Sequence, residues 1–399
     1  MRDYTFSHPL EGADMKVLKL IFKNALRHKL RTFLTILGIT IAIIAFGLLR
    51  TVVTIWDSTV DATMANRLVT RQSVSFIFPL PYAYKEKIQS VQGVTKVCGA
   101  VWFQGVYKDK KNFFARMAVD DNLFEVYPEF LLSKEEYDAY KKQRNACVVG
   151  ALIAKQYNFK IGDQIVLDGD IFPGRWEFEV RGIYQPKNKN TDATQMLFHW
   201  DYLNERMKTE TPARANVVFW YMVQIDDPNR SAQISNQIDD MFKNSTAETK
   251  TETEKAFTQG FISASGAIIT AMNWMSFMII GIILLVVANT MIMSARERTR
   301  EYAVFKTLGF SALHLTGLIF GESMLIACLG GGLGIALTFP VVSGFEQAMP
   351  KGFFPFFFIE PITIVLAVTA TLLVGLLAAI FPIQRALGTK IVDGFRFVG

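Results

Sequence analysis

The residues best able to do chemistry are crowded into one stretch. Positions 295–311 read ARERTREYAVFKTLGFS, with Arg296, Glu297, Arg298, Arg300, Glu301 and Lys306 in a short run. Side chains of mixed sign at this density can pair with one another or dock a partner. Elsewhere a search for catalytic constellations comes back empty. There is no GxxxxGK(S/T) loop to cradle nucleotide phosphates, no HExxH and no CxxC. His8, His28, His199 and His314 are scattered without ligand spacing, so no metal site is expected. No nucleophile and base are brought together by spacing, and an enzyme is the disfavoured class. Cys98 and Cys147 fall in separate strand-like segments, where a disulfide and two buried thiols both stay open. Cys328 lies in an apolar run and reads as packing.

The elements that must position the charge cluster are apolar and long. The chain has 399 residues, is 51% hydrophobic and has a mean hydropathy of +0.24. Its apolar residues are bunched rather than spread at helix or strand periods. Segments 34–55, 262–293, 312–339 and 362–383 hold almost no charge apart from Arg50 and Glu322. Each is as long as the roughly 20 residues a helix needs to cross hydrocarbon. Four transmembrane helices follow, at about 32–56, 262–294, 311–340 and 362–384. The first is too long and starts too far in for a cleaved signal peptide.

Basic residues set the orientation. Lys16, Lys19, Lys23, Arg27, Lys29 and Arg31 precede the first span; Arg296, Arg298, Arg300 and Lys306 follow the second; Arg385, Lys390 and Arg396 follow the fourth. The positive-inside rule puts these segments (1–31, 295–310 and 385–399) in the cytoplasm. The net charge of +6 is thus a topology signal, and nucleic acid is not an expected partner. Residues 57–243 and the short loop 341–361 lie outside.

The outer segment reads as mixed α/β. RQSVSFIFPL, VTKVCGAVWFQGV and FFARMAVD look like strands, with a short helix at YAYKEKIQSVQG. ACVVG, QIVLDG, WEFEVRGIY and NVVFWYMVQI follow as strands, and SAQISNQIDDMFKN as a helix started by Asp227–Pro228–Asn229. The order suggests a ferredoxin-like subdomain with a β-rich subdomain inserted at about 125–212. Residues 244–261, rich in Thr, Glu and Lys, read as an amphipathic stalk, with a disordered linker as the competing reading.

The charge cluster itself has a helical period. Tyr302, Phe305 and Leu308 recur at i, i+3 and i+6 beside Val304, and Gly309 is placed to cap the helix. A lipid-surface helix would carry a uniformly basic face. Glu297 and Glu301 among the arginines favour docking in a protein groove.

Here the residues carry a resemblance. ERTREYAVFKTLGFS resembles the cytoplasmic loop of FtsX/MacB-type ABC transporter permeases, ERTREIGxxRALGAS, departing at Tyr302, Ala303, Lys306 and Thr307. KVLKLIFKNALRHKLRTFLTILGITIAI resembles the family's amphipathic lead-in and first span. GESMLIACLGGGLGIAL resembles its third span and FPIQRALGTKIVDGFR its closing segment; AVDDNLFEVYP and IGDQIVLDG look like pieces of the MacB-type periplasmic core domain. The resemblance implies a four-helix permease subunit of the mechanotransmission type, without a fused ATPase domain, in the bacterial inner membrane. It implies two copies of a separate ABC ATPase that bind ATP and Mg, a homodimer or a heterodimer with a sister permease, and in some members a periplasmic adaptor and an outer-membrane channel. Coupling to the ATPase would fall to Glu297, Arg298, Thr299, Arg300, Glu301, Phe305, Leu308 and Gly309. The implied work is export or extraction of a lipoprotein, lipid, peptide or drug. A signalling scaffold that activates a periplasmic cell-wall hydrolase is the alternative; the large outer region favours export.

Within the spans, Glu322 reads either as a functional intramembrane acid or as a partner of an arginine such as Arg298. Gly330, Gly331 and Gly334 read as close helix packing, and Asn289 as an interhelical hydrogen bond. Arg31 and Arg385 read as interfacial anchors, and the FFPFFF run at 353–358 as a lipid-surface anchor.

Overall fold

The computed structural model describes residues 21–61, 63–264, 266–348 and 357–388. Lys16 and Lys19 of the basic lead-in, Phe353 to Phe356 of the short loop, and Lys390 and Arg396 of the tail lie outside the described residues. The chain divides into two compact units, one of long helices and one built on a sheet.

The sheet unit contains the strands β1 (Arg67–Gln72), β2 (Val94–Trp102), β3 (Ala115–Val119), β4 (Ala146–Gly150), β5 (Gln164–Gly169), β6 (Gly174–Pro186), β7 (Gln195–His199), β8 (Trp220–Ile225) and β9 (Thr249–Thr253). They lie in the order β9-β1-β8-β2-β3-β7-β4-β6-β5. Its first four members form the ferredoxin-like core. Neighbours are antiparallel, one crossover helix joins β1 to β2 and another joins β8 to β9. The second crossover, Ser231–Phe242, buries Ile234, Ile238 and Phe242, an i, i+4, i+8 stripe against the sheet.

Three sequence expectations need correction here. The insertion into the ferredoxin-like subdomain starts before the expected position 125. It begins at β3, which pairs directly with β2 and continues the core sheet. Without it β2 would be an open edge with unpaired backbone groups. The stretch SVSFIFP does not continue β1. Residues 73–79 are bends and turns, and Val74 and Ile77 are largely exposed. Its Ser/apolar alternation imitates a strand, and Pro79 ends the imitation. The stalk expected at 244–261 opens with turns and a strand before it becomes helical. Thr249–Thr253 pairs along β1, and a helix begins only at Glu254. The alternating threonines decide this: Thr249 and Thr251 turn inward and donate to Asp239 at 2.9 and 2.8 Å.

Cys98 and Cys147 are both free and fully buried, so the open disulfide reading is settled as two thiols. They sit in β2 and β4, which are separated in the sheet by β3 and β7. Burial pushes both thiols up, which suits inert packing.

Among the described residues four helices are long and apolar enough to cross a membrane: α1 (Lys29–Asp61, its apolar part ending at Ile55), α2 (Gly266–Glu297), α4 (Ala312–Ala348) and α5 (Pro361–Gly388). A short helix, α3 (Thr299–Thr307), joins the second to the third. Small residues let these helices approach. A methyl on Gly330 would meet Ile39 of α1 at 2.7 Å, and one on Gly334 would meet Ile43 at 2.7 Å. A methyl on Gly331 would collide with Thr371 of α5, whereas Gly332 faces open space. The glycine run is therefore a two-sided seam within the bundle, as expected where dispersion contacts rather than hydrophobic expulsion hold helices together. Thr40 adds a hydrogen bond to the Gly330 carbonyl at 3.0 Å, and Ser323 one to the Gly375 carbonyl at 2.8 Å.

Candidate functional site

The second span does not run smoothly into the charge cluster. Its helix ends at Glu297, Arg298 breaks it, and α3 starts at Thr299. The Thr299 hydroxyl turns back to the Arg296 carbonyl at 2.8 Å, satisfying an acceptor freed by the break. At the far end α3 stops through the geometry that Gly309 permits. Gly309 has φ +84°, a left-handed conformation that costs glycine little. Its N–H bonds the Lys306 carbonyl at 3.2 Å, and the Phe310 N–H bonds the Phe305 carbonyl at 3.0 Å. The rings of Phe305 and Phe310 then pack 5.2 Å apart. Two backbone bonds plus this apolar contact make a complete Schellman cap.

Arg298 is the hub of the site. Its side chain is 7% exposed. Nη1 donates to Oε2 of Glu322 on the third span at 2.6 Å, and Nε donates to Oε2 of Glu301 one turn on at 3.0 Å. Of the two readings of Glu322, the geometry supports the arginine partner. Burial draws the Arg298 guanidinium down, but Tyr302, Glu322 and Glu301 around it hold it above its ordinary value. Glu301 also accepts from Arg27, and Glu297 is gripped by both Nη atoms of Arg31 at 2.9 and 2.7 Å. His28 adds a 3.5 Å contact to Glu297. Burial pushes Glu301 up, yet the hydrogen bonds from Arg27 and Arg298 outweigh it and leave the carboxyl below the usual range.

This changes the roles read from the sequence. Glu297, Arg298 and Glu301 are engaged inside the chain, tying α3 to the segment before the first span and to the third span. The apolar seam splits as well. Tyr302 is buried and Phe305 is half-buried, packed with Ala295, Leu315, Ile319 and Ala386. Burial pushes the Tyr302 hydroxyl up to about 12. What remains outward is Val304, Leu308, Phe310 and Leu313, with Leu308 at 69% and Leu313 at 81% exposure. Arg300 is exposed beside them. Asn289 lies on an exposed face of the second span rather than between helices of its own bundle, and Cys328 is exposed rather than packed. Arg31 is more than an anchor, since it holds Glu297. Sequence reasoning missed Arg27 and His28 as partners of the loop. Arg27 enters the sequence reading only as a topology charge, and His28 only as a histidine without ligand spacing.

Two family descriptions cover most of the chain. Residues 32–241 match the MacB-like periplasmic core domain, and residues 273–391 match the FtsX-like permease C-terminal region. Among curated proteins, the chain is 24% identical over 420 residues to the macrolide export ATP-binding/permease protein MacB of Shewanella sp. (strain ANA-3). That alignment takes in 95% of this chain and 60% of the relative, so the chain spans less than two thirds of that protein. It is 23% identical to an uncharacterised ABC transporter permease of Methanocaldococcus jannaschii, across 82% of this chain and 84% of that one. Among solved structures, the periplasmic region of MacB from Actinobacillus actinomycetemcomitans aligns over 49% of this chain and 92% of its own, with 11% identity and a TM-score of 0.37.

Proposed function

This chain belongs to the MacB/FtsX family of ABC transporter permeases, and from that premise we propose that it converts ATP hydrolysis by partner ATPase subunits into movement of its sheet unit outside the membrane. The membrane is the bacterial inner membrane, with both termini in the cytoplasm. The work is export or extraction of a lipoprotein, lipid, peptide or drug. The chain acts as a dimer, with itself or a sister permease, above two ATPase copies that carry the ATP and Mg. An adaptor and an outer-membrane channel complete the path where export crosses both membranes.

One observation carries the coupling step. The helix α3 is fastened to the bundle by Arg298 and Glu301, while an apolar edge of it, Val304 and Leu308, stays exposed. A partner pressing on that edge displaces a helix whose buried arginine holds the third span through Glu322. The exposed edge receives the ATPase and the charged residues transmit. A differential binding energy of a few kcal/mol is enough to shift such a two-state element.

The test is co-expression with the ATPase, purification in nanodiscs, and comparison of wild type with Leu308→Asp and Arg298→Met. Leu308→Asp is expected to lose the ATPase on purification. Arg298→Met is expected to retain it while losing the permease's effect on ATP turnover. If Leu308→Asp retains the ATPase fully, the exposed edge is not the docking face and the coupling reading fails.

A further inference from the structure

The sheet unit contains a cavity of about 280 Å³ that the coupling function does not use. It lies where the unit's first strand meets the helix that closes it, Glu254–Ala264. Met117, Phe130, Trp220, Met222 and Phe257 supply apolar walls, and Glu129 and Arg67 supply charge. Arg67 is 2% exposed and is met by two acids. Nη1 pairs with Oε1 of Glu129 at 2.6 Å, and Nε with Oε2 of Glu254 at 2.7 Å. The other oxygen of Glu254 accepts the Tyr127 hydroxyl at 2.8 Å. Glu129 is 7% exposed, and its Oε2 is buried with no hydrogen-bond donor among the described residues. Asp192, also on the cavity wall, is already served by Thr194 and Gln195.

A buried carboxylate oxygen without a donor is costly, and two acids on one arginine leave an excess negative charge. Among the described residues no cluster of three His, Cys, Asp or Glu side chains could hold a metal ion. A positively charged organic N–H donor would satisfy both the bare oxygen and the excess charge, and the aromatic and methionine walls suit a hydrocarbon body behind it. We propose that this cavity is a binding site for a small amphipathic ammonium ion, its nitrogen on Glu129 and its apolar body against Trp220, Met222 and Phe257.

The test uses the full chain in nanodiscs, titrated with 2-phenylethylammonium and separately with uncharged 2-phenylethanol, with binding read by saturation-transfer NMR. The ammonium ion is expected to bind saturably and at least about ten-fold more tightly than the alcohol, as a charge-assisted hydrogen bond requires. Glu129→Gln should erase that preference. Because this change also disturbs Arg67, Thr258→Trp serves as the second variant; it fills the cavity from the helix side, leaves the ion pairs intact and should abolish binding of both probes. Absence of saturable binding to wild type, equal affinity for the two probes, or cation binding kept by both variants would each overturn the site. No ATPase is needed for this readout, so its failure is separate from failure of the coupling function.

Discussion

Two arginines each follow a membrane helix in the sequence, Arg67 after α1 and Arg298 after α2, and are built alike. Arg67 lies between Glu129 and Glu254 with its guanidinium 4.0 Å from the Tyr127 ring. Arg298 lies between Glu301 and Glu322 with its guanidinium 5.6 Å from the Tyr302 ring. In both, burial pulls the guanidinium down and the surrounding acids and tyrosine hold it up. They differ in what lies beyond. Around Arg67 both glutamates are buried, at 9% and 12% side-chain exposure. Around Arg298, Glu322 is buried but Glu301 is 34% exposed and shared with the exposed Arg27. The first hub is the more enclosed of the two, its ion pairs lying on the wall of the cavity that Arg67, Glu129 and Glu254 line. The second is open on one side, where the partly exposed Glu301 and the exposed Arg27 can exchange their pairing with water at little cost. The same motif thus serves as a lock in the sheet unit and as a latch in the helical one.

The largest effect is expected at the lock. Arg67→Met strands two buried carboxylates and should cost about 3–5 kcal/mol, read as early thermal unfolding of the sheet unit in the full chain. A loss under about 1 kcal/mol, the range of a surface pair, would mean that this hub is also open. Arg298→Met should cost less, about 2–3 kcal/mol, because Glu301 can turn to water while Glu322 cannot. The double change Arg298→Met with Glu322→Met should recover most of that loss; no recovery would show that the pair is not what holds α3. Gly309→Ala places a side chain at φ +84° and should cost about 1 kcal/mol by loosening the cap, visible as faster hydrogen exchange at Phe310. Arg27→Ala touches only exposed pairs and should change stability by less than about 1 kcal/mol.

Acid sharpens the comparison further. The hydrogen bond from His199 at 2.5 Å, opposed by burial, holds Asp121 in the sheet unit below its usual range. Glu301 is likewise depressed in the helical unit. A carboxyl whose folded value is lowered stabilises the fold above its unfolded value and loses that contribution as pH falls through the folded one. Both units should therefore weaken below about pH 4, where unfolded carboxyls titrate. Asp121→Asn should remove part of that dependence from the sheet unit alone, as followed by hydrogen exchange along β7 across a pH series.

Much of the architecture was legible because it is written in short-range patterns. Four spans follow from runs of apolar residues, and the Gly309 stop follows from one glycine after a helical period. The ferredoxin-like order was readable because each of its elements carries its own period. The edge strand at Thr249–Thr253 was not, because five residues of Thr, Lys and Glu suit an exposed helix as well as a strand. Only Asp239 and β1 beside them select the strand.

The site divides along the same line. The sequence by itself determined that charges would crowd at 295–311 between two membrane helices and that an acid, Glu322, would sit within the third. Only the tertiary structure decided which charges meet. Arg298 reaches Glu322 across 24 positions, Arg31 reaches Glu297 across 266, and Arg67 reaches Glu254 across 187. Composition and period report how each segment prefers to be solvated. Ion pairing depends on which segments share a low-dielectric space, and that is settled only once the helices and strands have packed.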